Sequence, residues 1–425
     1  MKRLRSYSAL GICAAAALLA GCGGSHAQGT LPATMQAPNS DAQRAGANEQ
    51  VLYSFSAGND GGNAATGLSL DAHGNLYGTT VIGGTFGCGT VFELAPQASP
   101  PWPETVLYNF DCYSTGKSPH GGVTLDRMGN LYGTTVAGGS GGSCASDGCG
   151  VAFQLTPSGE NVLHSFTAGK DGFGPGGGVT FDPAGRFYGT TPDGGTYSEG
   201  VVYAVTRAGA KWSERVVHAF TGGSDGGVGS LGPLLRGKSG NLYGVTELGG
   251  ANGAGTVFEL STKGRGKLTP LYAFKGAPDA AFPYGGLVAD GSGNLYGTTY
   301  YGGANGVGSV FELAPSGSGY RESVLYSFVG GSDGSSPTST LVLAKSGVLY
   351  GTTSAGGGTC GCGTIFSVNA RSGKERVLHR FSGGTDGAYA YYGLTQGANG
   401  TFYGSTVAGG RFNQGTVFAF TATHS

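Results

Sequence analysis

The stretch GNLYGTTVIGGTFGCGTVFEL, Gly74 to Leu94, decides the fold, because close copies of it recur until almost the last residue. The tyrosine of its LYGTT core returns at Tyr77, Tyr132, Tyr188, Tyr243, Tyr296, Tyr350 and Tyr403, at steps of 55, 56, 55, 53, 54 and 53 residues. Two further phrases keep the same step. A GTVF-like phrase ends at Phe92, Phe153, Tyr203, Phe258, Phe311, Phe366 and Phe418, and a VLYSF-like phrase ends at Phe55, Phe110, Phe166, Phe220, Phe274, Phe328 and Phe381. A fixed step of this kind marks a repeat architecture.

Glycine supplies 88 of the 425 residues, against an ordinary share of about 7%. It sits between short runs of Val, Leu, Tyr, Phe and Thr, which are strand formers, so it reads as many tight turns. Beyond the first 20 residues no window shows an extended 3.6-residue apolar period, so the body is all-β. Each repeat resolves into four strands. In the first complete unit they are Gly67 to Asp71, Asn75 to Thr80, Gly89 to Leu94 and Thr105 to Phe110. Short Gly-bearing loops of hairpin type join strands one and two, as at Asp71 to Asn75, and strands three and four, as at Thr156 to Gly159. Strict alternation in VLYSF predicts Val51, Tyr53 and Phe55 on one face and Leu52 and Ser54 on the other, which gives both faces apolar surface to bury.

Four-stranded sheets repeated about every 54 residues, with both faces to cover, predict a seven-bladed β-propeller of antiparallel blades. The rival is an open β-solenoid, whose ends would need caps that the sequence does not offer. The phase of the repeat predicts how the ring closes. The repeats begin with a lone VLYSF, Val51 to Phe55, and end with GTVFAF, Gly415 to Phe420, which lacks one. The N-terminal strand is therefore expected to complete the last blade as its outer strand.

GNLYGTT, a GG, a short gap and GTVFEL, followed by VLYSF and a Gly-Asp-Gly loop, resemble the GloVer tandem repeat of bacterial surface proteins, whose anchors vary from member to member. The resemblance covers about residues 51 to 420. It implies a propeller on an exported protein and brings no reaction and no catalytic residues. The fourth copy, with Val245 in place of the first Thr, and the seventh, with Ser405 there, depart furthest.

Lys2, Arg3 and Arg5 precede an apolar run from Ala9 to Ala20, the length of a signal-peptide core and too short for a membrane span. Leu19-Ala20-Gly21-Cys22 resembles the bacterial lipobox, in which Cys22 becomes the lipidated first residue; the plainer reading is a secretory signal cut elsewhere. The expected organisation is a lipoprotein signal peptide at 1–21, a flexible tether at 22–50 reaching roughly 30 Å, the propeller at 51–420 and a short tail at 421–425. The expected setting is a bacterial membrane, the outer membrane or cell surface where Gly23 follows the cysteine, with the lipid bilayer as partner through Cys22. No feature predicts an oligomer, so a monomer is expected.

Export permits disulfides. Cys88 opens strand three and Cys112 follows strand four of one hairpin, so antiparallel pairing places them opposite each other. Cys144 and Cys149 share one long loop and can close it. The pairing of Cys360 with Cys362 stays open. A zinc site is the rival, but these cysteines come from different blades with no His beside them, so no metal and no cofactor is expected.

No G-x-S-x-G, P-loop, H-E-x-x-H or calcium-loop match of useful specificity occurs in the sequence. His164, His218 and His379 align with Tyr53, Tyr108, Tyr272 and Tyr326, which makes them packing residues of separate blades. Glu93, Glu259 and Glu312 share one strand-three position and read as structural. A formal charge of -1 gives no reason to expect nucleic acid. The connection from each VLYSF strand to the next blade and the loop between LYGTT and GTVF should emerge on one face. That face gathers Asp60, Asp171, Asp225, Asp333 and Asp386 with Tyr284, Tyr301, Tyr391 and Tyr392. The plainer reading is that Asp and Gly build turns and the aromatics cover loop backbone; the sharper one is that aromatic platforms beside carboxylates suit sugar rings. Two functions follow: a surface module binding a glycan, a protein or an envelope ligand, or an extracellular hydrolase or lyase using axial carboxylates.

Overall fold

The computed structural model describes residues 47–422 apart from 143, 145, 146, 210, 265 and 318. The expected leader, Cys22 and the tether up to residue 46 lie outside the described residues. Among those described, the strands gather into seven antiparallel sheets and form no α-helix. The fold is a seven-bladed β-propeller. Blade 1 consists, from the axis outward, of Ser69–Leu70, Leu76–Thr80, Thr90–Leu94 and Glu104–Asn109. Blades 2 to 6 follow in chain order, the innermost strand being split in two in blades 4 and 5.

Blade 7 contains Thr395–Gln396, Thr401–Thr406 and Thr416–Ala422, and its outer strand is Ala47–Ser54. The register runs from Ala47 opposite Ala422 to Ser54 opposite Thr416. The pairing thus begins at residue 47 and takes in the last four residues of the expected tether.

Each letter of LYGTT has a structural task. Leu76 is fully buried. The Tyr77 hydroxyl donates to Asp71, which also accepts the backbone N–H groups of His73 and Asn75 at 2.8 and 2.9 Å and so fixes the hairpin turn. Gly78 pairs across the sheet with Phe92, and a Cβ there would stand 2.6 Å from the ring, so the glycine is the seat for the aromatic. The first Thr reaches the next blade: Thr79, Thr134, Thr190, Thr298 and Thr352 donate to backbone carbonyls 40 to 43 residues ahead. Ser405 does the same across the closure, donating to the Thr66 carbonyl at 2.8 Å. Val245 has no hydroxyl and drops this link between blades 4 and 5. The second Thr meets the third strand, as Thr80 meets Thr90 at 2.8 Å.

The core lies between blades. At every seam the last Phe of one VLYSF phrase meets the aromatic of the next GTVF phrase, with ring centroids 5.0 to 5.5 Å apart. The closing seam is built alike: Leu52, Phe55 and Val417 of blade 7 form one buried cluster with Leu68, Leu76, Phe92, Leu94 and Trp102.

Strict alternation in VLYSF does not hold. A bulge interrupts every outer strand at the same place, in blade 7 between Val51 and Tyr53. The extra residue there, Leu52, is 1% exposed, and its carbonyl accepts the N–H of Trp102 at 2.9 Å. One inserted residue shifts the period-two pattern, so Leu52 and Phe55 both turn into the core while Tyr53 is left at the seam.

Candidate functional site

The two long loops of each repeat meet on one face. Isolated bridges join the inter-blade connection to the loop after LYGTT, pairing Gly62 with Ile82, Lys117 with Ala137, Phe173 with Asp193, Ser335 with Ala355 and Ala388 with Ala408. On this face the aspartates and tyrosines singled out by sequence separate into two sets.

The aspartates hold the connections. Asp60 accepts the Tyr53 hydroxyl at 3.2 Å, the Ser56 backbone N–H at 2.9 Å and the Ser56 hydroxyl at 2.5 Å. Asp171, Asp225 and Asp386 repeat the arrangement with His164, His218 and His379 in place of the tyrosine, at 3.1, 2.9 and 3.2 Å. Asp333 accepts Tyr326 at 2.8 Å and the Val329 N–H at 2.9 Å. The three histidines also pack edge-on against Phe166, Phe220 and Phe381. At the seam between blades 1 and 2 the roles exchange: Asp111 accepts the N–H and hydroxyl of Thr115. Burial opposes ionisation of Asp111, but hydrogen bonds from Ser114, Thr115 and Tyr113 outweigh it and lower its pKa to about 2. Glu259 and Glu312 serve the hairpins, accepting the hydroxyls of Tyr243 and Tyr296 at 2.9 and 3.1 Å.

The tyrosines converge at the axis. Tyr284, Tyr391 and Tyr392 line one cavity of about 250 Å³, with Leu68, Val123 and Leu231 among its other walls. Tyr300 extends the aromatic surface outward, 6.4 Å from Tyr284 and 4.5 Å from Tyr301, ring to ring, and Tyr301 is 50% exposed. Burial drives the Tyr284 hydroxyl well above its ordinary range, and the neighbouring Tyr392, Glu247, Tyr391 and Tyr300 add to the rise. Burial likewise raises Tyr391 and Tyr392, so these hydroxyls stay protonated and act as neutral donors. Burial pushes Glu247 up to about 7. Sequence reasoning missed Glu247 because it lies one blade before Tyr284 and outside any repeated phrase.

The disulfides are Cys88–Cys112 and Cys144–Cys149, each with Cα atoms 5.3 Å apart, and Cys360–Cys362, left open by the sequence, at 5.2 Å. They fit an oxidising, extracytoplasmic compartment. Among the described residues no group of three or more His, Cys, Asp or Glu side chains is placed to hold a metal ion.

A family described as the Gloeobacter/Verrucomicrobia repeat matches residues 23–145, 140–360 and 266–425. The chain belongs to this family. Membership accounts for the tandem repeat across the whole ring and assigns no reaction. No curated relative matches the chain in sequence. Among solved structures, it is similar to a gluconolactonase from Xanthomonas campestris, with 12% identity, a TM-score of 0.42 and coverage of 78% of this chain and 89% of that one. A putative oxidoreductase (glucose dehydrogenase) from Thermus thermophilus gives 16% identity, a TM-score of 0.43 and coverage of 70% and 95%. A puromycin-hydrolyzing peptidase from Mycobacterium tuberculosis gives 13%, 0.38, and 77% and 55%. Likenesses this distant carry no substrate or chemistry to this member of the family.

Proposed function

We propose that this propeller is a lipid-anchored surface module that binds a glycan at the axial mouth of its long-loop face. The observation that carries the reading is the convergence of Tyr284 from blade 5 with Tyr391 and Tyr392 from blade 7 around one cavity, from which Tyr300 and Tyr301 extend the aromatic surface outward beside Tyr284. Aromatic faces offer a sugar ring apolar area at small entropic cost, and neutral hydroxyls offer its hydroxyls partners. The alternative of an axial hydrolase or lyase requires a pair of carboxylates there, and among the described residues the cavity wall holds none. Protein or envelope ligands would use the same aromatic surface.

Screening soluble oligosaccharides and cell-wall fragments by isothermal titration calorimetry tests the site. The Tyr391→Ala variant, and Tyr391→Ala with Tyr392→Ala, should bind any hit at least about tenfold more weakly, a loss of about 1.4 kcal/mol, with an unchanged circular dichroism spectrum. Binding that survives both but is lost on substituting the hairpin loops of the opposite face, at Asp71 to Asn75 and Thr156 to Asn161, would place the site elsewhere. For the anchor, Cys22→Ala should move the protein from the membrane fraction to the soluble one, and continued membrane retention would count against lipidation.

A further inference from the structure

Six of the seven outer strands carry a glutamate four residues before the Tyr or His of the VLYSF phrase: Glu49, Glu104, Glu160, Glu214, Glu322 and Glu375. Blade 4 has Leu268 there. In all six the Oε1 atom is buried and has no hydrogen-bond partner.

Each glutamate faces the acid that holds the preceding turn. Across successive seams Glu104 lies against Asp60 and Tyr53, and Glu160 against Asp111 and Tyr108. Glu214 lies against Asp171, Arg215 and Tyr203, and Glu322 against Asp279, Lys275 and Tyr272. Glu375 lies against Asp333, Arg380 and Tyr326, and Glu49 against Asp386 and His379. Asp279 adds to the rise in the Glu322 pKa, and Tyr108 opposes the rise in Glu160. A cleft of about 700 Å³ opens this seam between blades 4 and 5 to solvent, with Asp279 and Glu322 in its wall.

We propose that the seams between blades form a pH-sensitive latch, in which six glutamates must each carry a proton to sit opposite the acid of the neighbouring turn. The ring is then firm in mildly acidic surroundings and loosens as they become alkaline.

The turn aspartates already accept backbone N–H groups and, at five of the six seams, a Tyr or His side chain, so the second carboxyl at each seam is the one that must be neutral. A protonated glutamate can donate to its neighbour, whereas an ionised one leaves two carboxylates together and a buried oxygen without a donor. Burial is the largest cause that pushes Glu49, Glu104, Glu160, Glu214 and Glu375 up to about 7, and Glu322 rises for the same reason. The basic side chains present, His379 beside Glu49, Arg215 beside Glu214, Lys275 beside Glu322 and Arg380 beside Glu375, oppose the rise without reversing it. A carboxyl whose folded pKa lies above its unfolded value of 4.5 contributes stability that is fully present below pH 4.5 and lost as pH rises towards 7.

Thermal melts of the full chain at pH 5, 6, 7 and 8 test the latch. The Tm should fall by about 5 °C or more between pH 5 and 8. The variant with all six glutamates changed to Gln, which keeps the shape and cannot titrate, should lose that slope. A wild-type Tm that is flat or rises over this range overturns the proposal, as does a six-Gln variant with the wild-type slope. Should that variant fail to fold, ¹³C NMR titration of the wild-type glutamate carboxyls decides. Six midpoints well above 4.5 support the latch, and midpoints near 4.5 overturn it.

Discussion

Deleting residues 47–54 should destabilise the ring by more than about 5 kcal/mol and make it prone to aggregate. The deletion removes the outer strand of blade 7, with Leu52 from the buried cluster at the closing seam and the partner strand that holds Phe55 against Phe92. Truncating one such core side chain costs about 2–5 kcal/mol, so the loss of Leu52 and the displacement of Phe55 together come to roughly 4–10 kcal/mol before the lost strand pairing is counted. The backbone of Thr416–Ala422 would also lose its partner, and a bare strand edge pairs with other chains. Urea denaturation and light scattering check both effects. A loose tail of eight residues would leave the midpoint unchanged.

Gly232→Ala should cost about 3 kcal/mol. Around the axis the inner segments of successive blades approach backbone to backbone, and a Cβ on Gly232 would run into the Gly286 nitrogen and stand 2.5 Å from the Gly285 carbonyl carbon. Neither atom is the flexible end of a side chain, so a segment of the axial ring must move. Gly67→Ala is the control, because a Cβ there meets nothing within 4 Å; its stability should stay within about 1 kcal/mol of wild type. Equal melting temperatures for the two variants would refute close packing at the axis.

The repeat made the blades legible because one period carries all of the local chemistry: turn aspartates, strand formers and the glycine beneath each aromatic recur in phase. Closure was legible for the same reason, from a surplus strand at one end and a deficit at the other. The bulge at Leu52 was not, since alternation is a property of paired strands and one unpaired residue reverses it. The aspartates sit in the inter-blade turns, and whether Asp60 serves a ligand or its own turn depends on the Ser56 and Tyr53 donors, which are local and readable. The glutamates are different. Their fixed step is visible in the sequence, yet that Glu104 is buried against Asp60 follows only from the curvature that brings one blade's outer strand beside the next turn. The axial site was half legible: its tyrosines could be named, but Tyr284 and Tyr391 are brought together only by the closed ring, and Glu247 neighbours Tyr284 from a third blade without lining the cavity.

Hydrogen–deuterium exchange read by mass spectrometry on peptides covering residues 47–55 tests the closed ring most directly. In the closed propeller these amides are paired with Thr416–Ala422, and Phe55 donates to the Gly415 carbonyl at 3.0 Å. They should therefore be as protected as the other outer strands, such as Glu104–Asn109 and Glu375–Arg380. Complete exchange of residues 47–55 within seconds, while those strands stay protected, would contradict closure of the ring by its N-terminal strand.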